Sequence, residues 1–191
     1  DRVPLGNSQP KFTGGWQNEF SYKGLTLMVA MEFSYGRKLF NATALQLEKC
    51  AASDNETLRF FNNRWTPTLY DMQTGEMVWQ GNEDNSWLPG ISYSGPRETY
   101  CKDTYIEDGS YLRISDLTLS YDLPKRWVAK IGFSNLRIYA GIRNLWVFTG
   151  YTGYDPDVNS IGGTTGDLLQ GVDNGSYPRS RIYSIGANIS F

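Results

Sequence analysis

Hydrophobic and polar residues alternate along five stretches of the chain, and the first two stretches fit together as a hairpin. From Phe12 to Tyr22 the even positions are mostly apolar, and from Leu25 to Tyr35 the odd positions are apolar. A period of two residues is typical of a β-strand whose two faces meet different environments. The dipeptide Lys23-Gly24 between them predicts a tight turn. Pairing Tyr22 with Leu25 then places both apolar sets on one face of the sheet.

The later stretches repeat the pattern, one of them with a change of phase. Apolar residues alternate from Leu117 to Leu123, but Leu112 and Ile114 are out of phase with them. This predicts either a β-bulge near Ser115-Asp116 or an upper half of the strand that packs on something inside the molecule. The even positions of the fourth stretch are Leu136, Ile138, Ala140, Ile142, Asn144, Trp146 and Phe148. The odd positions of the fifth are Tyr183, Ile185, Ala187, Ile189 and Phe191.

The length of these stretches favours a membrane. Each has about 11–14 residues, whereas ordinary strands have about 5–6 and bilayer-spanning strands need about 9–11. Aromatic residues cluster at their ends, where the aromatic girdles of an outer-membrane barrel lie. We therefore predict an all-β, antiparallel transmembrane β-barrel segment, with strands near 11–22, 25–36, 110–123, 136–149 and 181–191.

The connections between the predicted strands alternate in length. Short turns fall at 23–24 and 124–135, and long loops near 37–109 and 150–178. Outer-membrane barrels have short periplasmic turns and long extracellular loops, so the two long segments are predicted to be extracellular. Five spanning strands cannot close a barrel by themselves, because an open edge leaves backbone groups unpaired in lipid. The chain is therefore expected to be part of a larger barrel.

Composition narrows the alternatives. The 191 residues include no His, 13 Tyr, 9 Phe and 6 Trp, and the net charge is −2. The absence of His excludes His-based nucleophilic catalysis and His-ligated metal sites, and the charge does not suit a nucleic-acid binder. No metal or cofactor is expected. The rival interpretations are a secreted carbohydrate-binding β-sandwich and a glycosidase with two carboxylates, for which no pair can be placed.

Several motifs, in order along the chain, resemble those of SusC/RagA-type TonB-dependent transporters. They are Lys11–Gly24 (KFTGGWQNEFSYKG), Tyr35-Gly36, Phe40-Asn41, Glu107–Ile114 (EDGSYLRI), Leu117–Pro124 (LTLSYDLP), Leu136–Tyr139 (LRIY), Arg143–Leu145 (RNL), Thr149–Pro156 (TGYTGYDP), Gly171–Asp173 (GVD) and Ser176–Pro178 (SYP). Asp157 stands where the family usually has Glu. Only about 45–105 lacks such motifs, as expected of a variable extracellular loop.

This resemblance implies a barrel of about 22 strands with a plug domain. It implies energised import of oligosaccharides, or sometimes peptides, across the outer membrane of a Gram-negative bacterium. The implied partners are a SusD-like surface lipoprotein acting as a lid and the TonB complex, reached through an N-terminal part. The sequence shows no plug, TonB box or signal peptide, so we expect it to be the last five strands of such a transporter.

Charged residues at inward positions are the first candidate functional set. By the parity of their strands, Glu19, Glu32, Arg113, Arg137 and Arg143 face the lumen. A basic side chain at mid-depth on the lipid face would cost about 2–4 kcal/mol, so the opposite face is favoured. These residues either line the transport path or, the interpretation we favour, bond the plug or each other across strands.

The long loop near 37–109 and the end of the chain supply further candidates. Trp65, Trp79, Trp87 and Tyr70 in the loop are candidates for glycan stacking, although aromatic residues also pack loops and contact partner proteins. Phe191, an aromatic residue at the end of the apolar series of the fifth stretch, is the candidate assembly signal. A plain lipid-facing strand is the alternative, and both can hold together.

Asp155, Asp157 and Asn159 are spaced faintly like a calcium loop, but Asx turns fit them better, since Ser160 and Gly166 replace the required Gly and Glu. Cys50 and Cys101 would form a disulfide in an oxidising compartment, and two separate thiols are the alternative.

Overall fold

The computed structural model describes residues 3–48, 55–82, 88, 90, 103–158 and 170–191. The chain divides into two compact units, one of Asp1–Phe40 with Ile106–Phe191 and the other of Asn41–Tyr105. In chain order, the described elements are β1 (Phe12–Tyr22), β2 (Leu25–Tyr35), β3 (Lys38–Asn41), α1 (Ala42–Leu47), α2 (Leu58–Asn63), β4 (Leu69–Tyr70), β5 (Met77–Trp79), a 3₁₀ turn (Asp103–Tyr105), β6 (Ile106–Asp108), β7 (Tyr111–Asp122), α3 (Lys125–Val128), a 3₁₀ turn (Ala129–Ile131), β8 (Asn135–Thr149), β9 (Val172–Asp173) and β10 (Ile182–Ser190).

The first unit is built on one antiparallel sheet of five strands in the order β1-β2-β7-β8-β10. A smaller sheet in the order β6-β3-β9 lies in the same part of the chain. The five long strands predicted from the alternation are thus confirmed, together with the all-β class. The outer edges of β1 and β10 have no neighbouring strand among the described residues.

The β1–β2 hairpin has the predicted register. Tyr22 pairs with Leu25, and Trp16 pairs with Met31. Lys23 and Gly24 have φ values of 47° and 87°, both in the left-handed region. Two such residues in a row are typical of the type I′ turn, whose twist matches that of the strands it joins. The sequence of the turn and the phase of the two strands therefore specify the same register.

The predicted bulge is present in β7 at Ser115. Ala30 of β2 pairs with Asp116, whereas its neighbour Met31 pairs with Ile114, so Ser115 is the extra residue. Its hydroxyl donates a hydrogen bond of 3.1 Å to the carbonyl oxygen of Ala30. The bulge returns the upper half of β7 to the apolar face of the sheet, which explains the change of phase in the sequence.

The large sheet has an apolar face that is open and a polar face that carries the charges. Side chains of the apolar face are exposed, at 53% for Trp16 and 89% for Ile185. The buried apolar cluster of this unit lies away from the strand centres, where Leu39, Tyr151 and Val158 pack together. Among the described residues, no helix is long and apolar enough to cross a membrane.

The second unit, Asn41–Tyr105, is organised around the start of α2. The hydroxyl oxygen of Thr57 accepts a hydrogen bond of 3.1 Å from the N–H of Phe60, which caps the helix. Thr57 also donates 2.7 Å to Glu48, and Arg59 binds both oxygens of that carboxylate at 2.8 and 2.6 Å. Phe60 is buried beside these contacts. Cys50 and Cys101, the two cysteines of the predicted alternatives, lie outside the described residues.

Candidate functional site

Charged side chains of the polar face form ion pairs across the strands of the large sheet. Arg137 of β8 binds Asp122 of β7 through two hydrogen bonds of 2.7 Å. Arg143 lies 3.6 Å from the carboxylate of Asp116. These pairs match the register, in which Asp122 is opposite Arg137 and Asp116 is opposite Arg143. The polar face therefore carries a ladder of ion pairs along the β7–β8 seam.

Arg113 is the centre of a polar cluster, and its side chain is only 1% exposed. Its Nε lies 3.0 Å from Oε1 of Glu32 on β2. One terminal nitrogen donates 2.6 Å to Asp155, and the other donates 2.6 Å to Oδ1 of Asn144. The two terminal nitrogens are thus hydrogen-bonded, and Nε is held by its ion-pair contact with Glu32 alone. A buried guanidinium needs such partners, because an unpaired buried charge is strongly destabilising. The cluster lies toward the end of the sheet that carries the long connections.

Arg179 adds a second cation to the same cluster. It lies 3.3 Å from Oε1 of Glu32 and also binds the carboxylate of Asp157. The N–H of Asp157 donates 2.9 Å to Oδ1 of Asp155, which is the Asx turn expected from the sequence. We call Arg113, Arg179, Glu32, Asp155, Asp157 and Asn144 the Arg113 network.

Asn144 joins the network because its backbone leaves the regular strand conformation. Its φ of 54° lies in the left-handed region, which Asn tolerates better than most residues. The pairing of β7 with β8 shifts at the same place, between Ile114 and Asp116. Simple alternation put Asn144 with the apolar positions, and this was wrong, since its side chain bonds Arg113 and the carbonyl of Arg179. The one signal of this in the sequence was that Asn144 is a polar residue within the otherwise apolar even positions of the fourth stretch.

The electrostatics of the network hold Asp155 as a carboxylate. Burial by itself raises the pKa of Asp155, but the hydrogen bond from Arg113 and the N–H of Asp157 outweigh it, so the net pKa is lowered. The residue is 4% exposed. The network therefore ties the segment after β8 to strands β2 and β7 by charge-assisted hydrogen bonds, which are stronger than neutral ones.

A second buried contact lies in the connection between β8 and β10 and involves β9. The hydroxyl of Tyr151 donates 2.6 Å to Oδ2 of Asp173, and both residues are buried. Burial, followed by the bond to Asp173, raises the pKa of the Tyr151 hydroxyl. Thr152 binds the carboxylate of Glu107 through its N–H and its hydroxyl, at 2.8 and 2.7 Å. The family-like motifs Thr149–Pro156 and Gly171–Asp173 are thus joined by a buried hydrogen bond.

Among the predicted lumen-facing residues, Glu32 and Arg113 pair with each other, and Arg137 and Arg143 pair with aspartates across the strands. Glu19 lies opposite Met28 in the register. All five share the polar face of the sheet. Whether this face lines a lumen stays a prediction. Asp116, Asp122 and Arg179 are members of these pairs that the sequence did not single out.

The aromatic candidates of the long loop belong to the second unit. Tyr70 and Trp79 lie on the β4–β5 hairpin, where Leu69 pairs with Trp79. Trp65 lies outside that hairpin, and all three aromatic side chains are exposed. Trp87, the fourth candidate, falls outside the described residues. Ligand binding by these residues stays a prediction.

The end of the chain is held by backbone and ring contacts. The ring of Phe191 packs edge-on against Phe133 with centroids 5.1 Å apart, and its carbonyl accepts 3.2 Å from Ser134. Most of Phe191 is nevertheless exposed. A role for Phe191 as an assembly signal stays a prediction.

Metal-binding groups of three or more His, Cys, Asp or Glu do not occur among the described residues. Asp155 and Asp157, the described part of the faint calcium spacing, are bound by arginines.

Comparison with known proteins identifies relatives in sequence and in structure. No protein-family model matches the chain. TonB-dependent receptor P3 of Formosa agariphila is 31% identical over 193 residues, covering 100% of this chain and 17% of that receptor. TonB-dependent receptor SusC of Bacteroides thetaiotaomicron is 30% identical over 104 residues, or 53% of this chain and 9% of the receptor. The chain thus spans less than a fifth of these relatives.

Solved structures give the same answer for the fold. The RagAB peptide importer in its "open-open" state matches with a TM-score of 0.67 and 25% identity, over 97% of this chain and 18% of that chain. A structure of the RagAB peptide transporter matches with a TM-score of 0.68 and 24% identity over the same shares. The resemblance to SusC/RagA-type TonB-dependent transporters is confirmed, as is the fold of a barrel segment. These relatives are named as receptors and transporters rather than enzymes.

Proposed function

We propose that this chain, which matches SusC/RagA-type TonB-dependent transporters in sequence and fold, forms the C-terminal part of the barrel wall of an outer-membrane nutrient importer. The observation that carries the proposal is the polarity of the large sheet. Its apolar face is open, whereas Arg113 on the other face is almost fully buried among carboxylates. A soluble sandwich would cover the apolar face with a second layer, whereas lipid tails cover it in a membrane.

The open edges of the sheet support the need for a larger barrel. The order β1-β2-β7-β8-β10 leaves one side of β1 and one side of β10 without a described partner. In hydrocarbon each unpaired backbone group costs several kcal/mol, so a spanning sheet must be closed. We propose that the remaining strands of the same polypeptide pair with both edges, and that a plug fills the interior.

Orientation follows from the connections. The turn at Lys23-Gly24 and the segment 123–134 connect strands at one end of the sheet, and the strand ends that lead into the long connections lie at the other. Short turns face the periplasm in bacterial outer-membrane barrels, so the Arg113 network is proposed to lie toward the extracellular side. There it fixes the connection between β8 and β10 against the wall.

The imported substrate is proposed to be an oligosaccharide or a peptide. The names of the relatives support both, since one is SusC and another is a peptide importer. The proposed partners are a SusD-like surface lipoprotein over the extracellular mouth and the TonB complex, which supplies energy from the inner membrane through the rest of the protein. Exposed Trp65, Trp79 and Tyr70, with Trp87, are proposed to contact substrate or lid.

A matched pair of substitutions tests the membrane assignment. Val29 lies on the apolar face opposite Leu117, and the adjacent Met28 lies on the polar face opposite Glu19. In the full-length transporter, Val29→Arg should lower the free energy of unfolding by about 2–4 kcal/mol, the cost of arginine at mid-depth in lipid. Met28→Arg gains a carboxylate neighbour and should be tolerated.

The readouts are urea unfolding in lipid vesicles and heat-modifiable migration in gels. Equal tolerance of the two arginines would exclude lipid contact on the apolar face. A wild-type protein that stays in aqueous buffer without detergent would contradict the proposal altogether.

A further inference from the structure

The segment 123–134, which joins β7 to β8, carries only basic charge and exposes large apolar side chains. It contains Lys125, Arg126 and Lys130 and no Asp or Glu. None of the three basic residues forms an ion pair among the residues that the structure describes. Trp127 and Ile131 are 54% and 59% exposed. We call this segment the basic turn.

The basic turn is a folded element with a fixed inner side. The N–H of Trp127 donates 2.9 Å to the carbonyl of Pro124, and α3 follows. Val128 is 1% exposed and forms the inner contact. Gly132, with a φ of 83°, ends the 3₁₀ turn in the left-handed conformation that glycine adopts without strain. The exposed Trp127 and Ile131 therefore point away from a defined core.

The turn is continuous with the apolar face of the sheet. Its Phe133 packs edge-on against Phe191, whose ring follows the apolar series of β10. At the same end, Nζ of Lys23 lies 5.1 Å from the ring centroid of Tyr22. Aromatic rings together with basic side chains are typical of the membrane–water interface, where rings lie at headgroup level and cations bind lipid phosphates.

We infer that the basic turn binds anionic phospholipid headgroups at the periplasmic surface of the outer membrane, with Trp127 and Ile131 seated in the interface. The inference rests on the proposed function, because it needs the neighbouring sheet face to be in lipid. Lipid is favoured over a protein partner by the carboxylate-free cluster of three cations beside two exposed apolar side chains. Basic side chains next to a membrane are attracted to anionic headgroups.

The first experiment measures headgroup binding with the full-length transporter. Arg126→Gln with Lys130→Gln removes two cations from the turn, and Lys11→Gln with Arg64→Gln removes the same two residue types elsewhere. Retention of phosphatidylglycerol over phosphatidylcholine is measured by native mass spectrometry. Each cation near an anionic surface changes binding by about fivefold, so the turn variant should bind phosphatidylglycerol about tenfold or more weakly. The control variant should match the wild type.

The second experiment tests whether Trp127 lies at the level of the lipid headgroups. Fluorescence quenching by lipids brominated near the headgroup is compared between the wild type and Trp127→Phe in vesicles of phosphatidylcholine and phosphatidylglycerol. A quenched component that disappears in the variant is expected. No such component, or equal lipid retention by the two double variants, overturns the inference even if the other result is as expected. Heat-modifiable migration is recorded in parallel, so that failure of barrel insertion is distinguished from failure of lipid binding by the turn.

Discussion

The guanidinium of Arg113 in β7 lies 2.6 Å from a carboxylate oxygen of Asp155, 42 positions later in the chain. The contact is buried on both sides, since the two side chains are 1% and 6% exposed. It joins a long strand to residues 150–158, in which no helix or strand is described. The position of these residues is therefore fixed by contacts with the sheet.

Arg113→Gln should be strongly destabilising. Removing one partner of a buried ion pair leaves uncompensated charge, here on Asp155, and costs about 3–5 kcal/mol, whereas Glu32 keeps its contact with Arg179. Urea unfolding of the full transporter in detergent or vesicles measures the loss. The control is Arg137→Gln, which breaks the exposed pair with Asp122 and should have a much smaller effect. Similar losses in the two variants would show that the Arg113 network carries no special stability.

Low pH should destabilise the connection between β8 and β10, because protonation of Asp155 weakens its contact with Arg113. Its pKa is lower in the folded protein than the ordinary value of about 3.9. The stabilisation is therefore fully present above that value and is lost as the pH falls through the lower, folded-state pKa. Asp155→Asn should flatten the fall in thermal stability below about pH 4, whereas Asp103→Asn, an exposed carboxylate outside the network, should leave it unchanged. An unaltered acid profile for Asp155→Asn would contradict this assignment.

Deleting Ser115 should prevent assembly. Without the bulge, Leu112 and Ile114 would turn to the polar face and Arg113 to the apolar face, because a shift of one residue exchanges the two faces of a strand. Heat-modifiable migration of the full transporter should be lost. Ser115→Ala keeps the residue count and removes only the hydroxyl bond to Ala30, a change of about 1 kcal/mol. Normal assembly of the deletion variant would mean that the bulge does not set the register.

Tyr151→Phe should loosen the connection near β9. The substitution removes the 2.6 Å hydrogen bond to the buried carboxylate of Asp173, at a cost of about 1–3 kcal/mol. Amide hydrogen exchange at residues 171–176 should become faster. Tyr154→Phe is the matched control, since Tyr154 is exposed. If both variants exchange equally, the Tyr151 hydroxyl is not what holds the segment.

Substitution of the exposed tryptophans should show whether they contact the substrate or the surface lipoprotein. Trp79→Ala and Trp65→Ala are each tested for nutrient uptake and for affinity toward the surface lipoprotein, measured separately. Reduced uptake at unchanged lid affinity indicates substrate stacking, and the reverse indicates a lid interface. Leu58→Ala, an exposed apolar residue of α2, serves as the control. No change in either measurement would remove these residues from the functional site.

The regular part of the fold could be predicted because its signals are local. The turn Lys23-Gly24 and the alternation beside it fix the hairpin register, and the phase change before Leu117 indicates the bulge. The Arg113 network could not be derived in the same way. It depends on one residue, Asn144, leaving the strand conformation and on Arg179 meeting Glu32 across 147 positions. Neither feature can be recognised from the alternation of apolar and polar residues. The family resemblance identified the motif that contains Asp155, but it did not indicate that Arg113 is the partner of Asp155.

The wide separation of β2 and β7 along the chain has a kinetic consequence. The β1–β2 hairpin closes over two residues, whereas Ser115 bonds Ala30 across 85 positions. Closing long loops is slow because chain entropy is lost before contacts compensate for it. The hairpin should therefore form early during insertion, and the edge of β2 that pairs with β7 should stay unpaired until β7 is in place. During that interval the open edge of β2 is free to pair with a wrong strand.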